Sequence, residues 1–145
     1  MSYEASIIIN CESYSSRIKD FILIMNDIKW GIYNDNEYVS YLPKGDDGLF
    51  DWKADKSSVE QILNIIDSKQ DNNETVGINL YFNREDCGVS LLADKTSEIR
   101  LLIDIGRKDL PDRTTDFSWY FQKIIMPLRK NGCIINNFTF EEYMD

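Results

Sequence analysis

The sequence predicts an α+β domain, a mostly antiparallel sheet of about seven strands packed against three helices. Three observations predict it. Three segments place apolar residues at the i, i+3, i+4, i+7 spacing of an amphipathic helix. Other segments alternate apolar with polar residues or run in β-branched ones, and three of the clearest follow one another with short connections. No repeat, low-complexity tract or linker divides the 145 residues, which are enough for one domain, 1–145, with a core.

Taken in order, "YEASIIIN" (3–10) reads as a strand because Ile7, Ile8 and Ile9 are β-branched. Ile18, Phe21, Ile22, Met25 and Ile28 form a helical stripe over 13–27, with Ser13 as its expected cap. "KWGIYN" (29–34) and "EYVSYL" (37–42) read as two strands of a hairpin joined through "NDNE". Pro43 ends the pairing, and Gly45 and Gly48 leave the next loop free to turn. A second helix is expected over 57–69, with Ser57 and Glu60 as a capping box and Val59, Ile62, Leu63 and Ile66 as its apolar stripe.

"TVGINLYF", "GVSLLAD" and "EIRLLIDI" then predict a three-stranded meander. After the polar loop 106–116, a third helix over 116–130 presents Phe117, Tyr120, Phe121, Ile124, Ile125 and Leu128, with Asp116 or Thr115 as cap. Pro127 lies inside it and predicts a break about one turn earlier. "RKNG" stops it, and "CIINNFTFEEY" reads as a last strand. The expected order is β-α-β-β-α-β-β-β-α-β.

Composition narrows the chemistry. The chain has no histidine, which excludes Ser-His-Asp and Cys-His catalysis. Cys11, Cys87 and Cys133 are odd in number, with no CxxC spacing, so neither a disulfide framework nor a zinc site is expected. Cys87 stands beside Glu85 and Asp86, which disfavours a reactive thiolate. There is no Walker sequence, and two carboxylates in "GDDG" would repel a phosphate. No catalytic residue, cofactor or metal ligand is assigned. No apolar run approaches a bilayer span and no signal-peptide pattern opens the chain, so a cytoplasmic protein is expected.

The net charge is −9, with −4 over 1–56, −4 over 57–95 and −1 over the remainder. Such a field repels nucleic acid and anionic membranes and attracts basic proteins. The charge is densest between 34 and 55, where six acids and two bases stand among large apolar residues. Two readings of this stretch can coexist. Leu49, Phe50 and Trp52 fold back to plug the sheet edge, or they form a contact surface whose carboxylates select a cationic partner. Strand alternation would put Tyr33 and Tyr41 on the helix-free face. The candidate partner-binding residues are Asp35, Glu37, Tyr41, Asp46, Asp47, Asp51 and Trp52.

With "YNDNEYVSYLPKGDDGLFDW" set in an acidic, histidine-free α+β chain, the sequence resembles the immunity proteins of bacterial polymorphic-toxin and contact-dependent growth inhibition systems. The resemblance implies a protein that binds a cognate toxin with a basic surface, such as a nuclease, and neutralises it. It carries no active-site residues over. Two alternatives are a small enzyme using carboxylates or a metal, and a homo-oligomeric subunit paired through a sheet edge.

Overall fold

The computed structural model describes residues 3–46 and 48–144. Among them run β1 (Tyr3–Asn10), α1 (Ile18–Asp27), β2 (Trp30–Gly31), β3 (Val39–Tyr41), β4 (Lys53–Asp55), α2 (Val59–Asp71), β5 (Val76–Phe82), β6 (Gly88–Ala93) and β7 (Ile99–Ile105). The chain continues through α3 (Phe117–Tyr120), a π-helical turn (Phe121–Ile125), α4 (Met126–Lys130) and β8 (Asn137–Met144). The α+β class holds, and β4 is the one strand added to the expected order. No helix among the described residues is long and apolar enough to cross a membrane.

The strands form one antiparallel sheet in the order β4-β3-β5-β6-β7-β1-β8, with β2 pairing β5 beside that path. The expected β2–β3 hairpin is only partly made. Both strands pair β5, β2 at Tyr81 and Phe82 and β3 at Ile78, while a single bridge, Tyr33 to Val39, joins the hairpin limbs. Trp30 is fully buried and tilts against Phe82 with ring centroids 5.0 Å apart. Docking this large ring against β5 competes with pairing to β3, and it wins.

Register fixes the two faces. Tyr41, Ile78, Leu91, Leu101, Ile7 and Phe140 lie in one row across six strands. This row meets the helices: the α1 stripe Ile18, Phe21, Ile22 and Met25, Ile62 and Ile66 of α2, and Tyr120, Ile124 and Leu128 join the same buried core. The neighbouring row, Gly77, Leu92, Arg100, Ile8 and Thr139, faces the other way. One sheet face is therefore covered by helices and the other is left open.

Helix ends differ from expectation by a residue or more. α1 begins at Ile18, not near Ser13; Ser15 instead accepts from the Arg17 amide and donates to Asp20. The capping box of α2 is Ser58 with Gln61, one residue beyond the expected pair. Val59 is the first residue of the helix and is exposed. Asp116 caps α3 as expected, accepting from the Trp119 amide.

Candidate functional site

β3 and β4 pair over only three residues, from Val39 with Asp55 to Tyr41 with Lys53. The acidic stretch is thereby split between the two ends of this short ribbon. At one end the turn 34–38 is closed by Asn34, whose side chain accepts from the Asn36 and Tyr38 amides. Asp35, Glu37 and Tyr38 are exposed there. Basic groups stand beside them: Lys56 lies over the Tyr38 ring, and Glu37 shares a recess with Lys56 and Arg84.

The loop 43–52 occupies the other end and is held by two side chains from outside it and one of its own. Lys69 reaches out of α2, and its Nζ donates to Leu42 O and Pro43 O at 3.1 and 2.9 Å. Glu74 accepts from the Gly45 amide at 2.6 Å. The Asp46 carboxylate turns inward and accepts from the Phe50 and Asp51 amides at 2.9 and 2.8 Å. These bonds hold Phe50 at φ 55°, a left-handed conformation that bulky side chains rarely adopt. The result displays Leu49, Phe50 and Trp52 at 72%, 49% and 40% exposure, with Asp51 exposed among them.

Two expectations are corrected here. Leu49, Phe50 and Trp52 do not fold back to plug the edge; all three are exposed. Tyr41 and Asp46, placed by sequence reasoning on the contact surface, are interior groups at 4% and 9% exposure. Tyr41 lies in the helix-facing row and its hydroxyl donates to Asp55 at 2.9 Å. Ser57, chiefly, and Tyr41 hold the Asp55 carboxyl below its usual pKa. Tyr33 packs partly against the core and donates to Ser57 O, so it too is not on the helix-free face. Asp35, Glu37, Asp51 and Trp52 are at the surface. Asp47 lies outside the described residues.

Sequence reasoning missed the open sheet face as a site. Phe50 forms one rim of it, lining with Leu92, Lys95, Glu98 and Arg100 a recess of about 260 Å³. A wider recess of about 630 Å³ lies between Glu4, Leu102, Asp104, Arg107 and Asp109. An irregularity in the β6–β7 ladder sets Ile103 and Asp104 against Val89 alone. The Ser90 hydroxyl lies 2.9 Å from the Asp104 carboxylate and 2.8 Å from Asn79 Oδ1, two acceptors that compete for its one proton. Asp104 is exposed, yet partial desolvation of its carboxylate raises the pKa, and the Ser90 hydrogen bond offsets part of the rise. Arg100 reaches Ser6 and Glu141, and Arg107 reaches Asp109 and Glu142, so both arginines have carboxylate partners.

Lys69 was legible in part. It stands seven residues after Ile62 and three after Ile66, on the apolar stripe of α2, and a lysine at such a position signals a buried cation. Cys87 is buried and its thiol pKa is raised, as expected. Burial is the main cause, however, and Glu85 the least. Comparison with known protein families, curated proteins and solved structures finds no match for this chain.

Proposed function

We propose that this chain is an inhibitor of the immunity type, binding and neutralising a cognate toxin that presents a basic surface, such as a nuclease. The observation that carries the reading is the loop 43–52. Backbone and side-chain anchors fix it while it holds Leu49, Phe50 and Trp52 out to solvent. A soluble protein gains nothing in stability from exposing three adjoining large apolar groups. Such patches mark contact surfaces, and aromatic anchors dominate their energetics. Preorganisation removes part of the ordering cost of binding.

Charge supports the class of partner. The molecule carries −9, and Asp51 stands beside the aromatic anchors while Asp35 and Glu37 lie at the far end of the β3–β4 ribbon. The first would stay in the contact as a rim charge and the others would act through the field. The contact surface in this reading is the loop and the adjoining open sheet face, which moves the region expected from sequence alone away from the 34–38 turn.

The test is co-purification and calorimetry with a candidate toxin domain that presents a basic surface, together with protection of cells that express it. Leu49→Ser, Phe50→Ser and Trp52→Ser combined should weaken binding about 100-fold or more, the loss of at least one hot spot. Asp35→Lys with Glu37→Lys should instead slow association and flatten its salt dependence. A folded triple variant that protects cells and binds as the parent does rejects the reading.

A further inference from the structure

Cys11 and Cys133 are 122 positions apart in the sequence, yet the fold sets them side by side. Cys11 follows β1, with its amide donating to Thr96 O at 2.9 Å. Cys133 follows α4, with its amide donating to Leu128 O at 2.9 Å. Flanking hydrogen bonds lace the two segments together: the Asn136 amide to Asn10 O at 2.8 Å, the Ser13 amide to Asn136 Oδ1 at 3.1 Å, and Asn136 Nδ2 to Ser13 Oγ at 2.7 Å. Both thiols are free and buried in the same core cluster, and each shifts the other's ionisation, as neighbouring sulfurs do.

We propose that Cys11 and Cys133 form an oxidisable dithiol, which a hydroperoxide converts to an intramolecular disulfide that clamps the first strand to the segment leading into the last. The inference is independent of the function proposed above. Cys133 reacts first, because the contact between the two lowers its pKa and raises that of Cys11. Cys133 also sits between exposed Gly132 and Ile134, so a local opening of 131–135 admits a small uncharged oxidant.

The Cys133 thiolate attacks one oxygen of hydrogen peroxide. An S–O bond forms, the O–O bond breaks, and the departing hydroxide takes up a proton as water, leaving a sulfenic acid. Cys11 then attacks that sulfur and gives up its proton. The S–S bond forms, the S–O bond breaks, and the second hydroxide leaves as water with the Cys11 proton. Two thiols lose two electrons and two protons, and one peroxide takes them up to become two waters. Closing the sulfurs from contact to about 2.0 Å draws the 131–135 segment inward.

The experiment treats the folded full chain with hydrogen peroxide, blocks remaining thiols by alkylation and maps the peptides by mass spectrometry. The expected result is a Cys11–Cys133 linked peptide with Cys87 alkylated. A rise of about 5–10 °C in the thermal midpoint, reversed by dithiothreitol, should accompany it. Cys11→Ser should stop the reaction at a sulfenic acid on Cys133 that dimedone traps. If that variant does not fold, the map of the parent chain decides alone. Sulfinic acid on Cys133 without a linked peptide overturns the proposal. So does oxidation of Cys87 at an equal rate, or thiols that react only after denaturation.

Discussion

Lys69 stands at a core position of α2 with 1% exposure. It is there because two carbonyls at the root of the 43–52 loop, Leu42 O and Pro43 O, need a donor that the sheet does not supply. Burial lowers its pKa, with Glu74 and Asp46 opposing the shift. Folding therefore disfavours the bound proton. The penalty is present in full below the depressed folded value, and it is relieved as pH rises from there towards the ordinary 10.5. Stability measured by urea unfolding should contain a component that rises over this window. Lys69→Met should remove that component, seen as a difference between parent and variant across the alkaline range. At neutral pH the variant should lose about 1–3 kcal/mol for the two orphaned carbonyls, less the relief of not burying a charge. A parent–variant difference that is flat with pH would contradict the assignment. The stripe position of Lys69 was readable in the sequence, but its acceptors were not, because they lie 26 and 27 residues away. In the same way, nothing local distinguishes Asp46, which ties the loop to itself, from exposed Asp51; only the folded path of 46–51 separates the two.

Elements were legible where their signal is local. The α1 stripe, the 76–105 meander and the Pro127 break all came out as the periodicity and the missing amide require. The π-helical turn sits directly before the proline-containing turn of α4, in the place a break about one turn earlier demands. What stabilises it was not readable. Pro127 cannot donate to the carbonyl of Lys123, and the Trp30 indole takes that acceptor at 2.9 Å from 93 residues away. The same indole binds β2 to β5 through Phe82 and meets Trp119 edge-on, which is also why the β2–β3 hairpin was misread. A double-mutant cycle tests the link. Trp30→Phe should cost about 2–3 kcal/mol by lost packing and an unsatisfied carbonyl. In a Pro127→Ala background, where residue 127 regains an amide that can reach Lys123, the cost should fall by about 0.5–1.5 kcal/mol. Additive losses would show that the two residues act independently.

At the scale of the molecule, helices on one sheet face leave the other in water, and that asymmetry follows from the alternation of the strands. Ile7, Leu91 and Leu101 face in, while Ser6, Ser90, Arg100 and Asp104 face out. The class was therefore readable, whereas the pairing of two short strands to one and the inward turn of Asp46 depend on contacts between distant segments. An exposed apolar loop beside an open face invites self-association, and the charge of −9 with a pI near 4.5 opposes it. Light scattering should find a monomer at neutral pH and low salt. Self-association should grow as salt shortens the screening length from about 10 Å at 0.1 M to about 3 Å at 1 M, and again as the pH approaches the pI. Phe50→Ser with Trp52→Ser should suppress both, because those rings supply the attraction that the charge holds in check. Association that survives the double substitution would place the sticky surface elsewhere. A stable oligomer at neutral pH and low salt would mean that the open face or a sheet edge is already an interface between copies of the chain. The same balance bears on the proposed inhibitor role: a loop kept soluble by net negative charge loses that protection only against a surface of opposite sign.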